Sequence, residues 1–208
     1  MKRMMLILLL SLGLVCVWSL VIAEEGFYVI STPKKNSGPV PKTGQTDSYA
    51  AGDDGDMEKG VVSPNPRFTD NGDGTVTDNL TELIWLKNAN CFGQRTWATA
   101  LNDCYTLNSG ECGLTDGSSQ GDWRLPNIRE LQSLIHFGYY GPALPNTDGT
   151  GQWTDNDPFT NVNSIFHWSA TSAAYNTPLA VGVYMYSGNT EPIAKTSTAY
   201  MWPVRSGN

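Results

Sequence analysis

Apolar and polar positions follow short blocks whose period changes along the chain. Arg67-Phe68-Thr69 and Thr75-Val76-Thr77 flank Asp70-Asn71-Gly72-Asp73-Gly74, where the Asn-Gly and Asp-Gly steps supply the positive φ angles of a tight hairpin. Leu83-Ile84-Trp85-Leu86 is an unbroken apolar run and reads as a third, more buried strand. The period then lengthens. Thr96 can cap a helix to Leu107, with Trp97, Leu101, Cys104 and Tyr105 recurring on one face. Asn127 followed by Glu130 has the spacing of a capping box. Ile128, Leu131, Leu134 and Ile135 form the stripe of that second helix, and Gly138 is its predicted end. Residues 139–163 are a long loop of Gly, Pro, Asn and Asp. Strand texture returns in Phe166-His167-Trp168-Ser169, Val181 to Tyr186, Pro192-Ile193-Ala194 and Tyr200 to Val204. Val181, Val183 and Met185 alternate with Gly182, Tyr184 and Tyr186, as in a strand with two different faces. Two helices set between an N-terminal hairpin and C-terminal strands predict an α+β fold with antiparallel sheets and long loops.

The opening residues have a different character. Met1-Lys2-Arg3 is basic, and Leu6 to Ala23 is a run of 18 residues without a charge before Glu24-Glu25. Val21-Ile22-Ala23 suits a signal peptidase, so residues 1–23 are read as a signal peptide cleaved after Ala23, leaving no membrane span. Ser31 to Pro66 is rich in Pro, Gly, Lys and Asp and, on composition, reads as a flexible leader. The whole chain has 13 Lys+Arg against 20 Asp+Glu, a net charge of −7, and loss of Lys2 and Arg3 with the signal makes it −9. This argues against nucleic acid as a partner, since such binding needs cations to displace phosphate counterions. The same −9 disfavours a polyanionic ligand unless basic residues cluster locally.

Export puts the cysteines where disulfides persist. With Cys16 removed, Cys91, Cys104 and Cys112 remain. The Asn108-Ser109-Gly110 turn favours Cys104–Cys112 as the pair. Three cysteines without CxxC spacing, and two distant histidines, give no zinc pattern. No metal or cofactor is predicted. Asp53, Asp54, Asp56 and Glu58, and the loop acids Asp148, Asp155 and Asp157, are oxygen clusters that surface loops commonly carry. Gly117-Ser118-Ser119-Gln120-Gly121 matches G-x-S-x-G, which makes a serine hydrolase using Ser119 and His167 one alternative function, a cell-envelope structural protein without small ligand being the other. The extended segment after Ser119 lacks the helix such an elbow needs. Tyr139, Tyr140, Trp153, Tyr175, Tyr184, Tyr186 and Tyr200, interleaved with Asn, Ser, Thr and Gly, have the texture of a recognition surface. At least half of these rings are expected in the core.

Several ordered phrases carry a resemblance. They are Pro66 to Thr81, Leu83-Ile84-Trp85-Leu86-Lys87-Asn88-Ala89, Trp123-Arg124-Leu125-Pro126-Asn127, Glu130-Leu131, His167-Trp168-Ser169-Ala170-Thr171 and Trp202-Pro203-Val204-Arg205. Together they resemble the C-terminal domain of the Legionella collagen-like adhesin, from about Pro41-Lys42-Thr43-Gly44-Gln45-Thr46 to Arg205. The resemblance moves the domain start to about residue 40, leaving 24–39 as leader and 40–208 as domain. It implies an exported bacterial protein, periplasmic or extracellular, with a C-type-lectin-like fold and a binding or adhesive role; in the adhesin the domain is associated with sulfated polysaccharides. The chain itself has no Gly-X-Y repeat, and Glu191-Pro192-Ile193 lacks the third oxygen ligand of a calcium lectin's Glu-Pro-Asn. The expectation is a non-catalytic binding module for a glycan or surface-protein ligand. Tyr175, Asn176, Tyr186 and Asn189 are the predicted contacts. Trp123, Arg124 and Arg205 are assigned to structure, the arginines anchoring loops through their donor forks.

Overall fold

The computed structural model describes residues 40–207. The signal peptide predicted for 1–23, Cys16 with it, and the leader predicted for 24–39 lie outside the described residues. The Asn-Gly and Asp-Gly steps close the hairpin of β1 (Phe68–Asp70) and β2 (Thr75–Asp78). Gly72 and Gly74 take φ of 76° and 88°, and Asp70 Oδ1 accepts from the Gly72 amide at 3.0 Å. β3 (Leu83–Leu86) pairs with β2, and the chain's last strand returns to pair with β3. β4 (Arg95–Thr96), β5 (Phe166–Ser172), β6 (Leu179–Tyr184), β7 (Thr190–Ala194), β8 (Thr198–Ala199) and β9 (Val204–Ser206) complete the strands. They form sheets ordered β1-β2-β3-β9, β4-β8 and β5-β6-β7, with every pairing antiparallel. The fold is α+β, as the pattern predicts.

Three helices lie among the described residues. α1 (Asp54–Met57) is a single turn within the segment that composition reads as leader. Asp53 caps it, its carboxylate accepting from the amides of Asp56 and Tyr49. α2 (Trp97–Thr106) runs where predicted, although the Thr96 side chain shares a hydrogen bond with Thr99 Oγ1 instead of capping the backbone. α3 (Ile128–Gln132) has the full capping box of Asn127 and Glu130. It stops well before Gly138, for a reason the local sequence does not carry. The Ser133 carbonyl, which a longer helix would offer to the Phe137 amide, accepts from Arg67 Nη2 at 2.9 Å. The Phe137 amide donates to Thr43 O at 2.8 Å instead. Tertiary partners take both ends of the missing helical bond.

β6 separates two cores. Val183 and Met185 face one built from Phe68, Trp85, Leu131, Phe159 and Trp202. Ala180 faces the other, with Cys104, Phe166 and Trp168. Gly182 lies against Phe166, where a Cβ would come within 2.4 Å of the ring. Two of the buried indoles satisfy their N–H groups on backbone carbonyls, Trp202 on Leu86 and Trp168 on Arg95, each at 2.8 Å. The strand predicted over Tyr200 to Val204 is split, because Pro203 has no amide to donate. Its carbonyl accepts from Leu86 N, and pairing resumes at Val204.

The disulfide is Cys91–Cys112, with Cα atoms 5.7 Å apart, which corrects the Cys104–Cys112 expectation. The hairpin tip explains the pairing. Lys87 donates to Gly74 O and Thr115 donates to Asp73 O, so the segments carrying Cys91 and Cys112 are both tied to one turn. Cys104 lies on the buried face of α2 beside Ala100, a free thiol that burial pushes well above its ordinary pKa. Non-reducing peptide mapping should therefore join the Cys91 and Cys112 peptides. Cys104 should alkylate only after unfolding; its labelling in the native protein, or its recovery in a disulfide, would contradict this arrangement.

Candidate ligand-binding groove

The segment 40–63 folds back on itself and forms one wall of an open groove. Lys42 N donates to Val61 O, Val61 N donates to Val40 O, and Lys42 Nζ reaches Glu58 at 2.8 Å. The other wall is α3 and the turn after it. Gly44 joins the two walls. It has φ of 90°, and a Cβ there would lie 2.4 Å from His136 Nε2, so a side chain would both strain the backbone and displace the imidazole. The His136 ring stacks on Tyr139 with centroids 4.2 Å apart, and its Nδ1 accepts from the Gly138 amide at 3.2 Å. Burial, then the nearby Arg67 guanidinium, hold His136 below its ordinary pKa, consistent with Nδ1 as acceptor in a neutral ring.

The groove has two lobes. The larger, about 470 Å³, is lined by Lys42, Gln45, Arg67, Arg129, Gln132 and Phe137 among others. The smaller, about 260 Å³, has Tyr49, Phe137 and Tyr139 in its lining. Both share Gly44, His136 and Gly149. Beneath the larger lobe, Arg67 Nε and Nη2 bond the two Asp78 oxygens at 2.8 Å each, and Asp78 also accepts from Leu80 N and Thr81 Oγ1. Beyond Phe137, Gly188 packs on that ring and brings the β6–β7 turn alongside. Tyr186 of the turn meets Tyr140 edge to face at 6.0 Å. Tyr49 is 83% exposed, Tyr140 72%, Tyr186 53% and Phe137 48%. Tyr49 and Phe137 are thus exposed rings in the groove lining, the Tyr140–Tyr186 pair lies beyond it, and the Lys42 and Arg67 charges in the lining are paired.

The four predicted contacts do not meet. Tyr186 and Asn189 lie in the β6–β7 turn near the groove, whereas Tyr175 and Asn176 lie in the β5–β6 connection at the other end of β6. Six residues of strand separate those ends by about 20 Å. Tyr49, Phe137, His136 and Arg129 are groove residues that the sequence reading missed. His136-Phe137-Gly138-Tyr139-Tyr140 is a usable signal, since an aromatic run around a glycine that opens a long loop lies where connections run over the surface. Tyr49 carries none of its own, lying in a segment that composition alone reads as leader. Ser119 and His167 are not brought together. Ser119 is on an exposed loop, its amide bonded to Asp122. His167 is fully buried beside Tyr200 and Trp202, its Nδ1 on Ile165 O, and burial lowers its pKa to about 4.

Trp123, Arg124 and Arg205 make contacts outside the groove lining. The Arg124 fork grips both Glu130 oxygens at 2.6 and 2.7 Å, while its backbone exchanges hydrogen bonds with Val204. Arg205 lies over the buried Trp123 ring and reaches Asp116 at 3.3 Å. Several loop acids have structural partners: Asp157 accepts from Thr147, and Asp155 from the Asn161 amide. Among the described residues no group of three or more His, Cys, Asp or Glu is placed to hold a metal ion. Nor is any helix among them long and apolar enough to cross a membrane.

These features define a disulfide-linked α+β domain with an open, aromatic-rimmed groove. The chain belongs to the Lcl C-terminal domain family, whose sequence model matches residues 74–205, more than half of the chain. The matched span contains α3 and the 136–150 wall, and the wall at 40–63 precedes it. No curated protein matches the chain significantly. Family membership and the disulfide fit an exported protein.

Proposed function

We propose that this domain is a non-catalytic, extracytoplasmic binding module that takes a glycan in the groove, acting in adhesion at the cell surface or in the periplasm. The observation carrying this reading is that two exposed rings, Tyr49 and Phe137, line one groove together with Tyr139, with the exposed Tyr140–Tyr186 pair just beyond it. Aromatic faces stack on the apolar faces of sugar rings, and the amide and hydroxyl groups of Gln45, Thr46 and Gln132 can meet sugar hydroxyls. The buried His167, remote from any exposed nucleophile in its hydrogen bonding, speaks against hydrolysis with Ser119.

A glycan array probed with the purified domain, with and without calcium, tests the reading. Binding to one glycan class, unchanged by calcium removal, is the expected result. Silence in both conditions would favour a structural role in the envelope without a small ligand.

A further inference from the structure

Resting on the reading that the groove holds a glycan, we propose that Arg129 makes it selective for a sugar bearing a single carboxylate. Nine Lys and Arg residues lie between 40 and 207, and six of them are in ion pairs with a carboxylate. Lys195 lies over the Trp97 ring and donates to Ser172. Among the described residues, Arg129, Lys59 and Lys195 thus have no acidic partner, and of the three only Arg129 lines the groove. Lys42 and Arg67 line it too, but Glu58 and Asp78 already neutralise them. The acid next to Arg129 is also occupied: Glu130 gives both oxygens to Arg124 and one to its own helix cap.

A planar guanidinium with free donors matches a carboxylate in two parallel hydrogen bonds. Arg129 is exposed and lines the same lobe as Phe137, so a pyranose lying on the Phe137 face could present its carboxylate to Arg129. The facing wall sets the limit of one charge. Glu58 in the larger lobe is spent on Lys42, but Asp47 lines the smaller lobe, and Asp53, Asp54 and Asp56 belong to the same acidic segment around α1. A polysulfated chain would gain one contact at Arg129 and meet repulsion along the rest of that wall.

The test is calorimetric titration of the intact domain with three probes: an oligouronide, the same oligouronide after reduction of its carboxyls to the neutral hexose, and a polysulfated oligosaccharide. The oligouronide should bind about tenfold tighter than its reduced form, the scale of one charge-assisted pair. That preference should vanish in Arg129→Gln and return in part in Arg129→Lys; Arg129 is exposed, so both variants should keep the wild-type fold by circular dichroism. Equal affinity for the two oligouronide forms, or a preference that survives Arg129→Gln, would overturn the inference while leaving the glycan reading intact. Tightest binding of the polysulfated probe would overturn the single-charge limit. Failure of all three to bind would count against the glycan reading itself.

Discussion

Asp78→Ala should lower the stability of the domain by about 3–5 kcal/mol, the largest effect expected of any single exposed-loop or ion-pair change here. Arg67 is 4% exposed and Asp78 fully buried. Removing the carboxylate leaves a guanidinium with one remaining partner, Ser133 O, and strips Leu80 N and Thr81 Oγ1 of their acceptor. The cost is that of an uncompensated buried charge rather than the net value of the pair. Replacing both partners with apolar side chains, as in Arg67→Met with Asp78→Leu, should therefore recover much of the loss. Urea denaturation of the two variants checks this: Asp78→Ala far less stable than the double would match the account, and a loss under about 1 kcal/mol in Asp78→Ala would contradict it. The ion pair also forms the groove floor, so a folded Asp78→Ala should show weakened groove binding.

Acid should destabilise the domain before its carboxylates titrate. Burial lowers the His167 pKa from 6.5 to about 4, so the unfolded chain takes up the proton first. The His167 contribution is complete above pH 6.5, falls as the pH drops from 6.5 to about 4, and is lost below. Across that interval it amounts to about 3 kcal/mol. His136, also shifted down by burial and by Arg67, works in the same direction with a smaller share because it is partly exposed. Stability against pH, measured by urea denaturation, should fall through this window in the wild type. It should be distinctly flatter in His167→Phe, whose ring suits the slot beside Tyr200 and Trp202. Parallel curves for the two proteins would remove His167 as the cause.

What could be read from the chain was local. Asn71-Gly72-Asp73-Gly74 dictates a hairpin by φ alone, and Asn127 with Glu130 dictates a helix start by two reciprocal hydrogen bonds. Both are present. What failed depended on distant partners. The end of α3 is decided by Arg67 and Thr43, residues 66 and 94 positions away from the groups they bind, and neither leaves a trace near Gly138. The disulfide was misjudged for the same reason, since the turn that unites Cys91 and Cys112 is the hairpin tip at Gly74. Composition hides half of the groove because Gly44 and its neighbours look like linker, and only the resemblance from Pro41 onward puts them in the domain. Their order comes from contacts with His136 and Phe137, which composition cannot register. Of the four predicted contacts, the strand connectivity puts two on the groove side and two at the far end of β6.

The central claim is that the aromatic groove is the binding surface. Its most direct measurement is titration of the strongest array glycan into wild type, the Tyr49→Ala/Phe137→Ala double variant and Tyr175→Ala. The two groove rings are exposed, and each stacking contact is worth about 0.5–1.5 kcal/mol. The account predicts a loss of about tenfold in the double variant and wild-type affinity in Tyr175→Ala. Unchanged affinity in the double variant, or a loss confined to Tyr175→Ala, would contradict it.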